Sequence, residues 1–260
     1  MAVFPQLATG ASTHYPAVKT RRSRTLVNTM ADGRSIKLAD AGADTAAWQL
    51  TYAELADSEK ATLEDFFARM EGSLQSFTFL DPAGNLLSWS EKLDEPVWEK
   101  GPLIATAGGQ RDPLGTMRAS TVRNTAGGAQ SVQQTLEAPA NYVYAFSLYA
   151  RAAAPVEVAL FRGTDRQQAA VATDWSRLVL PGQSTAAGDS LAFGLELPAG
   201  CAVDVFGLQV EAQPAPSRYQ RTEEQGGVYE ARFQNDLLRF TTEGPQRHAC
   251  VIQIIHANHI

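Results

Sequence analysis

Residues 142–151, YVYAFSLYAR, give the clearest indication of the fold in the central part of this chain. Large apolar residues occur on both of its alternating faces, which is typical of a strand in the middle of a β-sandwich. Further stretches with the two-residue period of strands surround it, separated by turns, at residues 116–122, 131–136, 156–161, 176–180, 191–197 and 203–210. About eight short strands without a helix between them predict a jelly-roll or related β-sandwich over residues 85–221.

The two ends of the chain predict a second, discontinuous domain formed by residues 1–84 and 222–260. Alternation indicates strands at 24–27, 35–38, 48–52 and 77–80, with a hairpin turn at Asp32-Gly33. One helix is predicted after Asp57, and its apolar face is formed by Leu63, Phe66, Phe67 and Met70. Residues 250–255 form the most apolar strand, which we place inside this domain, covered on both sides. The predicted fold class is therefore mainly β: a split small β-barrel or sandwich with one α-helix, plus the inserted jelly-roll.

Composition restricts the possible functions. The 260 residues are 44% hydrophobic and 19% charged, as in ordinary globular proteins, and the net charge of −6 argues against a dedicated nucleic-acid binder. Cys201 and Cys250 lie far apart in sequence, so we expect two buried thiols and no disulfide framework. No apolar run approaches the ~18 residues of a membrane span, and the N-terminus lacks a signal-peptide pattern. We therefore expect synthesis in a cytoplasm.

Positive charge is concentrated near the N-terminus. Residues 19–37 contain Lys19, Arg21, Arg22, Arg24, Arg34 and Lys37 against Asp32 alone. One interpretation is a solvated strand edge. The other is a basic strip that meets an acidic surface of a neighbouring subunit, with Arg21, Arg22 and Arg24 as the candidate interface residues.

The sequence contains no pattern that predicts catalysis. Nucleophile-elbow, phosphate-loop, zinc-protease and dinucleotide-binding motifs are absent, and no pair of carboxylates is singled out as an acid and a base. His248, His256 and His259 crowd the C-terminus, but no carboxylate lies near them in sequence, so we expect no metal and no cofactor. The chain is predicted not to be an enzyme.

Residues 48–82 resemble the distal-tail and minor-tail proteins of long-tailed bacteriophages. The resemblance is carried by the patterns Trp48-x-Leu50-x-Tyr52-x-x-Leu55, Asp57-Ser58-Glu59, Leu63-x-x-Phe66-Phe67, Gly72 and Phe77-x-Phe79-x-Asp81-Pro82. It implies a small β-barrel or sandwich with one helix that assembles into a ring.

The inserted module resembles the carbohydrate-binding-type jelly-rolls of phage tail and fibre proteins. The matching residues are Asn85-Leu86-Leu87, Trp98, residues 144–151, Trp175-x-Arg177, residues 206–212 and Pro216-Ser217-x-Tyr219. Phe206 departs from the pattern, because many such modules have Trp there. If the module binds sugar, the candidate stacking aromatics are Trp89, Trp98, Tyr142 and Trp175; the alternative is that these rings pack in the core.

Together these patterns predict a structural virion protein of the phage distal tail or baseplate. The chain would form a ring, predicted to be a hexamer, contact the tail tube and the baseplate hub or fibre proteins, and display the jelly-roll for attachment to a host glycan or for fibre docking. Two alternatives stay open: a glycan-binding adhesin or receptor-binding tail protein without a ring role, and a polysaccharide hydrolase.

Overall fold

A computed structural model describes residues 1–256, except for the side chains of residues 41–44. The chain divides into two compact units. Unit 1 comprises Met1–Pro5, Thr13–Phe79 and Tyr229–Ile260, and unit 2 comprises Gln6–Ser12 and Leu80–Val228. In chain order the elements are β1 His14–Thr29, β2 Ser35–Leu55, α1 Asp57–Arg69, β3 Phe77–Leu80, β4 Glu99–Lys100, β5 Ile104–Gln110, β6 Ala119–Asn124, β7 Gln130–Leu136, β8 Val143–Arg151, β9 Val156–Arg162, β10 Asp165–Val171, β11 Ser176–Gln183, β12 Leu191–Leu197, β13 Ala202–Glu211, β14 Val228–Phe233, β15 Phe240–Gly244 and β16 Arg247–His256.

Unit 1 is a sheet with one helix. Its strands follow the order β1-β2-β16-β14-β3, and β15 pairs with β16. The predicted apolar side of β2 is confirmed, since Trp48, Leu50 and Tyr52 are all buried. Helix α1 buries Leu63 and Phe66. The Phe66 ring lies 5.5 Å from that of Phe4, in an aromatic core that also contains Phe77, Phe79 and Phe233.

Of the two alternatives predicted for unit 1, a barrel or a sandwich, the described strands do not form a closed barrel. Closure requires the outermost strands to pair, and β1 and β3 end the sheet order without pairing each other. One prediction for unit 1 is wrong: the strand at residues 250–255 is not covered on both sides. In β16, Cys250, Ile252 and Ile254 are buried, whereas Val251 is 49% exposed. An antiparallel sheet can leave one face to solvent in this way.

The hairpin of β1 and β2 continues past the packed part of unit 1 as a two-stranded ribbon. Six residue pairs, from Arg24–Asp40 to Thr29–Ser35, form this ribbon, and every residue of β1 from Lys19 onward is exposed. The turn is the predicted one, with Gly33 at φ 83°. Leu26 and Leu38 face each other across the ribbon and are 43% and 50% exposed.

Unit 2 is a jelly-roll β-sandwich, as predicted. One five-stranded sheet has the order β10-β9-β12-β7-β4 and the other has the order β11-β8-β13-β6-β5. The facing sides of the sheets form the core: Phe193 on β12 lies 5.3 Å from Tyr144 and 6.0 Å from Phe146 on β8. The segment of residues 6–12 packs with this unit, where the Gln6 amide accepts from the Val143 N–H at 2.8 Å and donates to its carbonyl at 3.0 Å.

Helix α1 is the only α-helix in the described residues, and at 13 residues it is too short to cross a bilayer.

Candidate functional site

Strand β8 directs two different sets of side chains to the two faces of its sheet. Tyr144, Phe146, Leu148 and Ala150 are buried and belong to the core. The alternate residues, which include Tyr149 and Arg151, therefore point to the outer face. Directly paired residues share a face, so the register extends this outer face across the sheet. We call it the β8 face: Tyr149 and Arg151 on β8 with the side chains paired to them on β11, β13 and β6.

The first row of the β8 face is polar. Arg151 pairs with Asp204 on β13, and Asp204 pairs with Thr121 on β6. Arg151 Nε donates to Asp204 Oδ2 at 3.0 Å, and the Thr121 hydroxyl donates to Asp204 Oδ1 at 2.6 Å. The Arg151 guanidinium also lies 4.9 Å from the centre of the half-buried Trp175 ring, just before β11. A flat aromatic surface thus borders a fixed group of donors and acceptors.

The second row of the β8 face is aromatic. Tyr149 pairs with Phe206 on β13 and with Arg177 on β11. The Arg177 guanidinium lies 5.6 Å from the Tyr149 ring centre, and the Arg118 guanidinium lies 5.4 Å from that of Phe206. Tyr219 packs edge-on against Phe206 at 5.2 Å. The position where the jelly-roll resemblance leads one to expect Trp therefore keeps an aromatic side chain in this row.

Each row contributes to a cleft. One cleft, of about 540 Å³, is lined by Arg123, Arg151, Ala153, Thr173, Asp204 and Thr121 among others. The other, of about 410 Å³, is lined by Leu114, Arg118, Tyr149, Phe206, Arg218 and Arg221 among others. Successive residues on one face of a strand are ~7 Å apart, so the two clefts adjoin along β8 and β13.

The remaining length of the β8 face is closed by the segment after β13. Ser217 Oγ donates to the Glu211 carboxylate at 2.5 Å, and the Gln220 N–H donates to Gln209 Oε1 at 2.7 Å. Arg177 holds the same segment, since Nη1 donates to the Ser217 carbonyl at 2.7 Å. This segment therefore covers Gln209 and Glu211, the outer-face residues of β13 that follow the two rows.

A buried carboxylate lies beneath the second cleft. Glu91, whose side chain is 4% exposed, accepts from Arg118 at 2.9 Å and from the Tyr219 hydroxyl at 3.0 Å, and pairs with Arg221 at 3.1 Å. Burial raises the pKa of the Glu91 carboxyl, against the opposing effects of Tyr219, Arg118 and Arg221. Burial likewise raises the pKa of the Tyr219 phenol. These contacts hold Arg118 and Arg221 at the floor of the cleft.

Asp112 provides a second buried anchor for Arg118. Burial by itself raises the pKa of this carboxyl, but hydrogen bonds from Thr116 and from the backbone N–H groups of Leu114 and Arg118 hold the pKa below its ordinary value. Arg118 Nε lies 3.8 Å from Asp112 Oδ2. The arginine is therefore oriented from two sides.

The four aromatic residues predicted as candidates for sugar stacking lie in different environments in the structure. Trp175 borders the β8 face. Trp98 is 2% exposed, and its indole N–H donates to the Trp89 carbonyl at 3.0 Å, so its ring belongs to the core. Trp89 has φ 49°, a backbone region that favours glycine, and Lys92 lies 4.5 Å from its ring centre. Tyr142 is half-buried in the turn before β8.

The predicted interface arginines all lie on β1 and are exposed. Arg24 forms an ion pair with Asp40 across the ribbon. Arg21 and Arg22 have no ion-pair partner among the described carboxylates, and Arg22 lines a cleft of about 430 Å³ with Trp48, Gln49 and Gln253. Lys19 is bound within unit 1, because Nζ donates to the Tyr229 hydroxyl at 3.3 Å and lies 5.4 Å from the Trp48 ring centre.

The described side chains contain no cluster of three His, Cys, Asp or Glu residues that could hold a metal ion. His248 lies 2.7 Å from the Asp57 carboxylate and 3.0 Å from the Thr242 hydroxyl, so a carboxylate distant in sequence is close in space. His259 lies outside the described residues. Cys201 and Cys250 are free and buried, as predicted, and burial raises the pKa of Cys250 to about 12.

Sequence reasoning assigned Tyr149 to packing and missed Arg151, Asp204 and Arg177 as members of a site. Their signal is visible within β8: residues 144, 146, 148 and 150 are apolar, whereas Ser147 and Arg151 break the pattern on the alternate face. That alternation identifies the outer face of one strand. The partners on β11, β13 and β6 follow only from the register.

Comparisons with known proteins find similarity to solved structures but no match in sequence. No family model matches the sequence, and no curated protein matches it. Solved structures similar to this chain include the CBM22-1 xylan-binding domain from Paenibacillus barcinonensis, with 17% identity, a TM-score of 0.40, and coverage of 52% of this chain and 98% of that domain. They also include the tandem CBM22-1-CBM22-2 domain of the same organism, with 16% identity, a TM-score of 0.41, and coverage of 63% and 58%.

The active domain of tailspike protein 4 from bacteriophage CBA120 is similar at 10% identity and a TM-score of 0.36, covering 51% of this chain and 22% of that one. A likeness at this level carries no argument about ligand or activity. The ligand of this chain has to be argued from the β8 face.

Proposed function

We propose that this chain is a non-catalytic attachment protein that binds a glycan on the β8 face of unit 2. The observation that carries the proposal is the Trp175 ring beside the Arg151–Asp204–Thr121 row. An aromatic ring packs against the apolar face of a sugar, and the charged row supplies oriented hydrogen bonds for its hydroxyl groups. The two adjoining clefts suit a chain of several sugars better than a single one.

A polysaccharide array probed with the full chain tests this function. We expect binding to at least one glycan and no release of reducing ends. Trp175→Ala should weaken that binding at least about tenfold, because an aromatic ring that stacks on a sugar contributes heavily to affinity. Tyr15→Ala, which removes an exposed aromatic of unit 1, is the matched control. A chain that binds no glycan, or binds equally well without Trp175, would contradict the proposal.

A second role is assembly, for which the ribbon of unit 1 is the supporting observation. An isolated two-stranded ribbon is marginal in water, and exposed apolar side chains such as Leu26 and Leu38 indicate a contact surface. Taken with the resemblance of residues 48–82 to distal-tail proteins, this supports a virion protein that forms a ring of six copies at the end of a phage tail. The jelly-roll would then be displayed in several copies, which raises the avidity of a weak site.

Native mass spectrometry of the full chain tests the assembly role. We expect a closed oligomer, and the double variant Arg21→Glu/Arg22→Glu should dissociate it more readily, with an effect that diminishes in high salt. Arg166→Glu on β10 of unit 2 is the matched charge reversal. A monomer at all concentrations tested would contradict a ring that forms without other tail proteins.

A further inference from the structure

Arginines are concentrated on the β8 face of an acidic protein. The chain carries a net charge of −6. Yet the described residues that line the two clefts include Arg118, Arg123, Arg151, Arg218 and Arg221, with Asp204 as the only carboxylate among them. Of the carboxylates that balance this charge, Glu91 and Asp112 are buried beneath the second cleft, with side chains 4% and 0% exposed, whereas Glu223, which pairs with Arg221, is exposed. The charges of Glu91 and Asp112 are therefore less accessible to a ligand than those of the arginines above them.

The arginines fall into two groups. Arg151 is paired with Asp204, and Arg118 and Arg221 are paired with Glu91, so these three are fixed in position. Arg123 and Arg218 are exposed and form no ion pair with a described carboxylate. Each lines one of the two adjoining clefts. The adjoining clefts of the β8 face thus contain two guanidinium groups that are available to a ligand, those of Arg123 and Arg218, beside three that carboxylates hold in position.

From this arrangement we infer that the ligand of the β8 face is an acidic glycan, a polysaccharide whose sugars bear carboxylates. This inference rests on the proposed glycan-binding function. A guanidinium donates two parallel hydrogen bonds to a carboxylate. It has five N–H donors and no acceptor, so it can donate to the hydroxyl of a neutral sugar but cannot accept a hydrogen bond from it. The half-buried rings of Tyr149 and Trp175 provide the surfaces for the sugar rings, while Arg123 and Arg218 take the charges.

The experiment uses an array that contains uronic-acid polysaccharides together with the same polymers after chemical reduction of their carboxylates to alcohols. We expect the full chain to bind the acidic form and to lose at least tenfold in affinity for the reduced form. Binding should also weaken as NaCl is raised from about 50 to 500 mM, because the site is open to screening. Arg123→Gln/Arg218→Gln should weaken acidic binding by tenfold or more. Arg166→Gln, on the other sheet, should leave it unchanged.

Each outcome decides a different statement. Equal binding to the acidic and reduced polymers overturns the acidic-glycan inference and leaves the glycan-binding function in place. Acidic binding that is insensitive to the Arg123/Arg218 variant overturns the assignment of these residues. Binding to sulfated or phosphorylated polymers but not to uronic acids overturns the carboxylate as the recognised group. No binding to any polymer overturns the proposed function and the inference with it.

Discussion

Replacement of Asn85 by alanine should destabilise unit 2 severely. Asn85 is 2% exposed and joins the start of the jelly-roll to its end. Its amide donates to the carbonyls of Leu208 at 2.9 Å and Gln220 at 3.1 Å. Its oxygen accepts from the N–H groups of Leu87 at 3.2 Å and Val210 at 3.1 Å. One side chain thus satisfies four backbone groups.

The magnitude follows from these four bonds. Each intramolecular hydrogen bond contributes about 1 kcal/mol net, and a buried group left without a partner costs at least that much. The free energy of unfolding of unit 2 should therefore fall by about 4 kcal/mol in Asn85→Ala. For a domain of this size, that corresponds to a decrease in Tm of roughly 8–16 °C.

Tryptophan fluorescence during urea or thermal unfolding measures this loss. Trp89, Trp98 and Trp175 belong to unit 2, and Trp48 belongs to unit 1, so three of the four tryptophans report on the unit that is perturbed. Asn141→Ala, at an exposed turn position, is the matched control and should change stability by less than about 0.5 kcal/mol. A loss below about 1.5 kcal/mol in Asn85→Ala would contradict this prediction, since it would mean that water replaces the amide at little cost.

Two further predictions concern unit 2. Burial raises the pKa of Glu91 in the folded protein above its ordinary value of 4.5, so the native state binds the proton more tightly than the unfolded state. The free energy of unfolding should therefore fall as the pH rises from 4.5 through the pKa of the folded protein. Glu91→Gln should remove that slope in a series of melts across acidic pH, and parallel profiles for the two proteins would contradict it. A Cβ built on Gly194 would lie 2.5 Å from Phe161 Cζ and overlap the Val132 carbonyl oxygen, so Gly194→Ala should cost about 2 kcal/mol in the same melts. Gly127→Ala, where a Cβ meets nothing within 4 Å, is its control, and equal melting of the two variants would count against the overlap.

Much of the fold follows from local patterns. The alternation in β2 predicts a buried side with Trp48 and Tyr52, and the spacing of Leu63 and Phe66 predicts the buried side of α1; the structure confirms both. The Asp32-Gly33 turn is confirmed as well, because only a few residues determine a tight hairpin. These features depend on neighbours within one or two turns of the chain.

The prediction that residues 250–255 are covered on both sides was wrong, because coverage depends on segments that are distant in sequence. An apolar run such as residues 250–255 does not indicate whether other elements will cover one face of the strand or both. Val251 is exposed because unit 1 provides one helix on one side of its sheet. The sequence likewise does not show that Trp98 is buried whereas Trp175 is half-buried, because residue type alone does not tell how deeply a ring is packed.

Local periodicity and residue type predict the helix, most of the strands and the sandwich class of unit 2, but they miss β5 and β10 and most of the length of β1. Which arginines and aromatics lie together depends on the tertiary structure. Arg118, Tyr149, Trp175 and Phe206 come from four separate stretches of the chain, and strand register alone sets Tyr149 beside Phe206 and Arg151 beside Asp204. The physical reason is that a one-residue shift of register would turn every side chain of a strand to the opposite face, and register depends on pairing between distant segments.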